Sequence, residues 1–194
     1  TGVTVLFGVL MSINVLAESL EVEEILVKGR VLQSDQMNAL KIPTPIINVP
    51  QSLSIITDED VRKKGFKEIG DIVKYTPGIN TSLGEGHRDA VVFRGVRSTA
   101  DFFQDGVRDD VQYYRPLYNV EQVEVLRGPN ALLFGRGGTG GVINRVSKKP
   151  VNGKEFKIVD LGYDSFGASD ISVDLNTNLS DSVAFRLNLH NDSL

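Results

Sequence analysis

Val123-Glu-Val-Leu-Arg-Gly-Pro-Asn-Ala-Leu-Leu-Phe-Gly-Arg-Gly-Gly-Thr-Gly-Gly-Val-Ile-Asn-Arg-Val146 decides how this chain is read. An alternating, β-prone run enters Arg127-Gly128-Pro129. A small apolar turn follows, then a glycine-dense loop, then a second β-branched run. Glycine at that density lets backbone take positive φ and pass close to neighbouring chain. The flanking runs place the loop inside a sheet. Gly135 to Gly140 also fits G-x-G-x-x-G. A dinucleotide loop, however, needs a helix next, so that its N-terminal amides and dipole meet the phosphates. Val142 to Val146 is strand-prone instead, and no Lys-Ser/Thr completes a phosphate loop. Close backbone packing is the better explanation.

The 194 residues allow one or two domains with a real core, and the formal net charge of −4 argues against a nucleic-acid binder. Cysteine is absent, which excludes disulfides and thiolate metal sites. Val3 to Leu16 is almost wholly apolar, and Val15-Leu16-Ala17 before Glu18 fits a small-residue cleavage site. Residues 1–17 therefore read as the hydrophobic part of a secretory signal peptide, truncated at its start. The run is shorter than the roughly 20 residues a spanning helix needs.

Residues 18–48 open with a short β-prone segment, Glu21 to Gly29, and continue as an extended linker that Pro43 and Pro45 keep open. Val49 to Ile56 alternates as a strand. Thr57-Asp-Glu-Asp60 starts a helix, with Thr57 as cap and acids in the first turn, and Gly65 ends it. A second helix runs from about Lys67 to Tyr75, with Ile69, Ile72 and Val73 on one face. Ala90 to Arg94 is a strand that Gly95 ends, and Phe102 to Val107 is a hairpin around Asp105-Gly106. Val120 to Leu126 reads as a mixed helix–strand approach to the glycine loop. Lys148-Lys149-Pro150 closes the block 49–150.

From 151 to 194 the pattern changes. Ile171, Val173 and Leu175 alternate with Ser172, Asp174 and Asn176. Val183, Phe185, Leu187 and Leu189 alternate with Ala184, Arg186, Asn188 and His190, and Ser180-Asp181 forms the turn. Such a hairpin serves a transmembrane barrel, with lipid on one face and a polar lumen on the other, or a soluble sheet with one face on a core. Behind a signal peptide and the glycine block, the barrel is expected. Two strands cannot close a barrel, so the chain is expected to be a fragment of a larger protein.

The constellations give no positive sign of an enzyme. Asp101, Asp105, Asp109 and Asp110 lack calcium-loop spacing and read as turn and surface residues. His87 and His190 have no second ligand nearby in sequence. Arg94, Arg127 and Arg145 read as structural ion pairs. Arg88, Phe102-Phe103 and Tyr113-Tyr114-Arg115 fall on what read as three loops. Aromatic and guanidinium groups on adjacent loops can hold a planar anionic ligand by stacking, hydrogen bonds and charge. Alternatively, these aromatics pack the block against the barrel wall. Both readings stand.

Pro50-Gln-Ser-Leu-Ser-Ile-Ile56, Tyr75-Thr-Pro-Gly78, Phe93-Arg-Gly95, Asp105-Gly106, Val123 to Pro129 and Gly135 to Lys149 follow in an order that resembles the plug domain of TonB-dependent outer-membrane receptors. The Pro-Gln-Ser opening and Asp109 to Arg115 are most similar to ferrichrome-type and catecholate-type siderophore receptors. The resemblance implies an α+β plug with a mixed sheet and short helices, followed by the first strands of a large antiparallel transmembrane β-barrel. It implies uptake of a ferric siderophore across a Gram-negative outer membrane, with iron carried only as the chelate and no cofactor. Haem or cobalamin as ligand, or sensing without transport, are the alternatives. Arg88, Phe102, Phe103, Tyr113, Tyr114 and Arg115 become the ligand-site candidates. Glu24, Ile25, Leu26, Val27, Lys28 and Gly29 resemble a TonB box facing the periplasm, the segment given to TonB and its inner-membrane energising complex.

Overall fold

The computed structural model describes residues 36–37, 44–48, 50–82, 86–98, 101–129, 134 and 140–193. Contacts divide the chain into two units, 1–30 and 31–194, and every described residue belongs to the second. The expected signal segment 1–17, the box Glu24–Gly29 and most of the glycine loop lie outside the described residues.

The described chain begins inside the expected linker, where β1 (Gln36–Met37) pairs antiparallel with β2 (Thr44–Pro45), followed by a 3-10 turn (Ile46–Asn48). β3 (Ser52–Thr57) runs straight into α1 (Asp58–Lys64). The start is a reciprocal cap: the Asp60 amide donates to Thr57 Oγ1 (3.2 Å) and the Thr57 amide to Asp60 Oδ2 (3.3 Å). Three acids fill the first turn, three bases the last, and Gly65 stops the helix at φ +66°. α2 (Ile69–Lys74) buries Ile69, Ile72 and Val73.

β4 (Ile79–Thr81), β5 (Val91–Phe93) and β6 (Val96–Ser98) form a small antiparallel sheet. Arg94 (φ +46°) and Gly95 (φ +88°) make the tight turn from β5 to β6. Gly95 therefore turns the chain into a further strand that the sequence reading lacked. β7 (Phe102–Gln104) and β8 (Val107–Arg108) form the expected hairpin, with Asp105 and Gly106 both at positive φ.

β9 (Val120–Arg127) and β10 (Gly141–Ser147) complete the main sheet, in the order β3-β9-β10-β7-β8. The β10–β7 pairing is parallel and the rest antiparallel, so the sheet is mixed. β9 is a continuous strand, which corrects the mixed helix–strand expectation. It lies between β3 and β10 with both faces covered, so burial is continuous from Gln122 to Leu126 and its polar residues are as enclosed as its apolar ones. One face is apolar. The other holds a polar layer in which Gln122 Nε2 (2.8 Å) and Asn144 Nδ2 (3.0 Å) donate to the two Glu124 oxygens. At the start of β10, a Cβ on Gly141 would stand 2.5 Å from Phe93 Cε1 and 2.6 Å from the Leu126 carbonyl oxygen. The core joins α1, α2, β5, β7, β9 and β10 through Val61, Ile72, Phe93, Phe102, Val123 and Ile143.

β11 (Phe156–Tyr163), β12 (Ser169–Ser180) and β13 (Val183–Ser193) form an antiparallel sheet of three strands, one more than the sequence indicated. The β12–β13 turn is Asp181-Ser182, one residue later than expected. This sheet packs inside out. Its polar row meets the 49–150 block: Asp174 and Asn176 are buried, and Arg186 binds Asp174 (2.7 Å) and Glu121 (2.9 Å). Lys148 bridges Asp174 (3.0 Å) and Asp58 (3.1 Å), Tyr118 stacks on His190 at 4.9 Å, and Lys67 pairs with Asp170. The opposite row is apolar and bare, with Leu161 77% and Val159 58% exposed and Ile171, Val183, Phe185 and Leu189 alongside. No helix among the described residues is long and apolar enough to cross a membrane.

Candidate functional site

Two of the six ligand-site candidates share a cleft. Arg88 and Tyr114 line a depression of about 180 Å³, together with Glu68, Lys74, Asp89 and residues of β4 and β5. The N-terminus of α2 supplies Glu68, β4 supplies Thr81, and the segment between β4 and β5 supplies Arg88 and Asp89. Tyr114 enters from the loop between β8 and β9 and is exposed.

The other four candidates stand behind this cleft or away from it. Phe102 and Phe103 were placed on a loop by sequence. They lie in β7, 1% and 2% exposed, because β7 sits inside the main sheet and both of its faces are covered. Phe103 belongs to a second apolar cluster with Leu126 and Val142, edge-on to Phe134 at 4.8 Å. Arg115 is 1% exposed. Its guanidinium lies 4.0 Å from the Phe102 ring centre and 4.6 Å from that of Tyr113. Its Nε donates to Asp109 Oδ2 (3.1 Å) and its Nη2 to the Val111 carbonyl (2.6 Å). Such a cation is fully engaged within the fold, and Phe102 and Phe103 pack in the interior of the 49–150 block itself, which is neither the loop position nor the wall contact that the sequence suggested.

Asp109 is the centre of this cluster. It accepts from Tyr113 Oη (2.8 Å), Arg115 Nε (3.1 Å) and Arg145 Nη2 (2.5 Å). The expectation of a surface role for Asp109 and Asp101 is therefore corrected: the Asp109 side chain is 13% exposed and Asp101 1%. Asp105 does form a turn, and its carboxylate accepts the Ser147 amide (2.9 Å). The ion-pair reading of Arg145 agrees with its bond to Asp109, whereas Arg127 donates to the Ser52 and Ser54 hydroxyls instead of a carboxylate.

The two carboxylates around Arg115 are driven in opposite directions. Burial pushes Asp89 up to about 6, and the Arg115 amide and guanidinium offset only part of this. Burial also acts to raise Asp109, but the Tyr113 hydroxyl and the Arg115 and Arg145 guanidiniums outweigh it and hold the group below its ordinary value. Glu68 is raised by burial and by the charge of Asp71. Sequence reasoning missed Glu68, Lys74 and Asp89. Only Asp89, a charge between Arg88 and the apolar run from Ala90, left a trace in the pattern.

Residues 45–142 match the TonB-dependent Receptor Plug Domain family model. The chain is 31% identical over 95% of its length to a probable TonB-dependent receptor, BfrD, of Bordetella pertussis, covering 25% of that protein. It is 34% identical over 78% of its length to the ferrioxamine B receptor of Salmonella typhimurium, covering 23% of it. The solved structure of the ferric-catecholate import receptor Fiu from Escherichia coli superposes with a TM-score of 0.69 at 28% identity, over 76% of this chain and 22% of that one. The chain thus spans about a quarter of the length of the curated relatives it matches. With a mixed sheet and two short helices among its described residues, and the family model matched over residues 45–142, the chain belongs to the TonB-dependent receptors through their plug domain.

Proposed function

We propose that the chain is the plug and first wall strands of an outer-membrane receptor that takes up a ferric siderophore in a Gram-negative bacterium. The orientation of the β11–β13 sheet carries this reading. A soluble antiparallel sheet turns its apolar face to the core. Here the polar row meets protein and the apolar row is bare, the arrangement of strands with lipid outside and a filled lumen inside. Two relatives support the ligand class, one named for ferrioxamine B and one for a ferric catecholate.

The cleft, at about 180 Å³, is smaller than pockets that enclose a drug-sized ligand. It would take one arm of a chelate. Arg88 supplies charge and directed hydrogen bonds, and Tyr114 supplies a ring face and a hydroxyl. Extracellular barrel loops would complete the site. Arg115, with Tyr113 and the Phe102 ring against its guanidinium, supports it from behind. The energy for passage would come from TonB, engaging Glu24 to Gly29 by strand addition from the periplasm. The test is growth of a receptor-deficient strain carrying the full-length gene on a panel of ferric siderophores. Rescue by at least one hydroxamate or catecholate chelate is expected. Rescue by none, with the protein present in the outer membrane, refutes the ligand class.

A further inference from the structure

Two hydrogen bonds tie residue 89 to the loop that carries Tyr114. The Asp89 amide donates to the Tyr113 carbonyl (3.2 Å), and the Arg115 amide donates to Asp89 Oδ2 (2.8 Å). They grip the chain on both sides of Tyr114, which is 46% exposed while Arg115 is 1% exposed. The grip is firm at its far end, because the Arg115 side chain is fixed by Asp109, the Val111 carbonyl and the Phe102 ring. At its near end Asp89 directly follows Arg88 and lines the same cleft. One residue therefore sets the spacing of the two groups that face the depression.

We infer that Asp89 is a positioning residue for ligand capture: its carboxylate holds the Tyr113–Arg115 turn so that Tyr114 and Arg88 face one cleft before a ligand arrives. This rests on the siderophore-receptor reading for the identity of the ligand, but not for the existence of the clamp. Asp89 is 6% exposed, and its burial raises its proton affinity, a cost that a turn held by a hydroxyl or a carbonyl does not carry. What the carboxylate gives in return is a fixed loop, and a site ordered in advance spends less of its binding energy on ordering.

The experiment uses the full-length receptor and its Asp89→Ala and Asp89→Asn variants, with ferrioxamine B and iron(III) tris-catecholate as probes. Hydrogen exchange of residues 111–117 is measured without ligand, then Kd, then KM and Vmax of radioiron uptake. In Asp89→Ala, exchange at 111–117 is expected to accelerate at least about tenfold, with β9 and β10 amides unchanged. Kd and KM should weaken about ten- to a hundredfold, as for loss of a hydrogen bond to a charged group, with Vmax unchanged. Asp89→Asn keeps an acceptor for the Arg115 amide and should restore most of the affinity. Unchanged exchange at 111–117 overturns the clamp. Faster exchange with unchanged Kd overturns its role in capture, and equal acceleration in β9 and β10 overturns it in favour of general stability. A wild-type receptor that binds neither probe refutes the siderophore reading, and the exchange arm alone then decides the clamp.

Discussion

Replacing Asp109 with Ala gives the sharpest test of the buried charge cluster. Its carboxylate serves two guanidiniums and a phenol, and the side chains of Arg115 and Arg145 are 1% and 5% exposed. Without it, Arg115 keeps Asp89 as its one carboxylate partner among the described residues, at 3.7 Å, and Arg145 keeps Gln104 and the Tyr113 hydroxyl. Breaking a buried pair on one side costs about 3–5 kcal/mol, because a desolvated charge is left uncompensated, whereas an exposed pair is worth about 1 kcal/mol or less. At about 1.4 kcal/mol per factor of ten, the amides of 111–117 should exchange some two to three and a half decades faster in Asp109→Ala of the full-length receptor. The double variant Asp109→Ala/Arg145→Met removes one charge of each sign and should recover part of the loss. The acid arm has a definite sign. The folded-state proton affinity of Asp109 is depressed, so its contribution is complete above the ordinary Asp value of about 3.9 and disappears as pH falls through the lower folded value. A loss below about 1 kcal/mol in Asp109→Ala would mean that the cluster behaves as a solvated surface network, and the account of Arg115 as a fixed support would fall with it.

Gly141→Ala places a Cβ 2.5 Å from the Phe93 ring and 2.6 Å from a backbone oxygen, an overpacking expected to cost about 1–3 kcal/mol or more in thermal unfolding of the receptor; a wild-type melting profile would contradict the close approach. Val159→Arg, on the bare row of β11, should reduce the amount of heat-modifiable receptor in outer-membrane fractions, by about 2–4 kcal/mol if the position lies at the bilayer midplane; normal assembly would argue that this row does not face lipid. Asp89 is displaced the other way from Asp109, to about 6, so it favours the folded state when protonated and stability should decline as pH rises from about 4 to 6. Arg115, Arg145 and Glu68 all act on it, and Asp89→Asn should flatten that slope in a pH series of unfolding curves. Leu26→Pro removes a ladder donor from the proposed TonB-binding segment and should abolish uptake while ligand binding persists; normal transport would refute the tether.

The readable parts of the sequence were those in which local chemistry and tertiary position agree. Thr57 and Asp60 cap α1, Asp105-Gly106 turns a hairpin, and the alternation around Val173 and Leu187 marks β12 and β13. β9 defeated the pattern because Gln122 and Glu124 are as buried as Val123 and Val125, their polarity being satisfied by Asn144 across the strand pair. β11 was missed because apolar residues fall on both of its faces, Ile158 inward and Val159 outward. The cleft was half legible. Arg88 and Tyr114 stand where loop chemistry placed them, but the burial of Arg115 depends on Asp89, 26 residues away in the chain, and on the ring of Phe102, pairings that no local window records.

The seam between the 49–150 block and the strand layer has a mechanical consequence. It is stitched by Arg186, Lys148, the Lys67–Asp170 pair and the Tyr118–His190 stack, with the greasy side of the strands facing away. A joint of that make-up can part and let water flood between its halves without stripping oil from oil. Each lost ionic stitch is exchanged for hydration, whereas a dry hydrophobic joint would resist with its whole area.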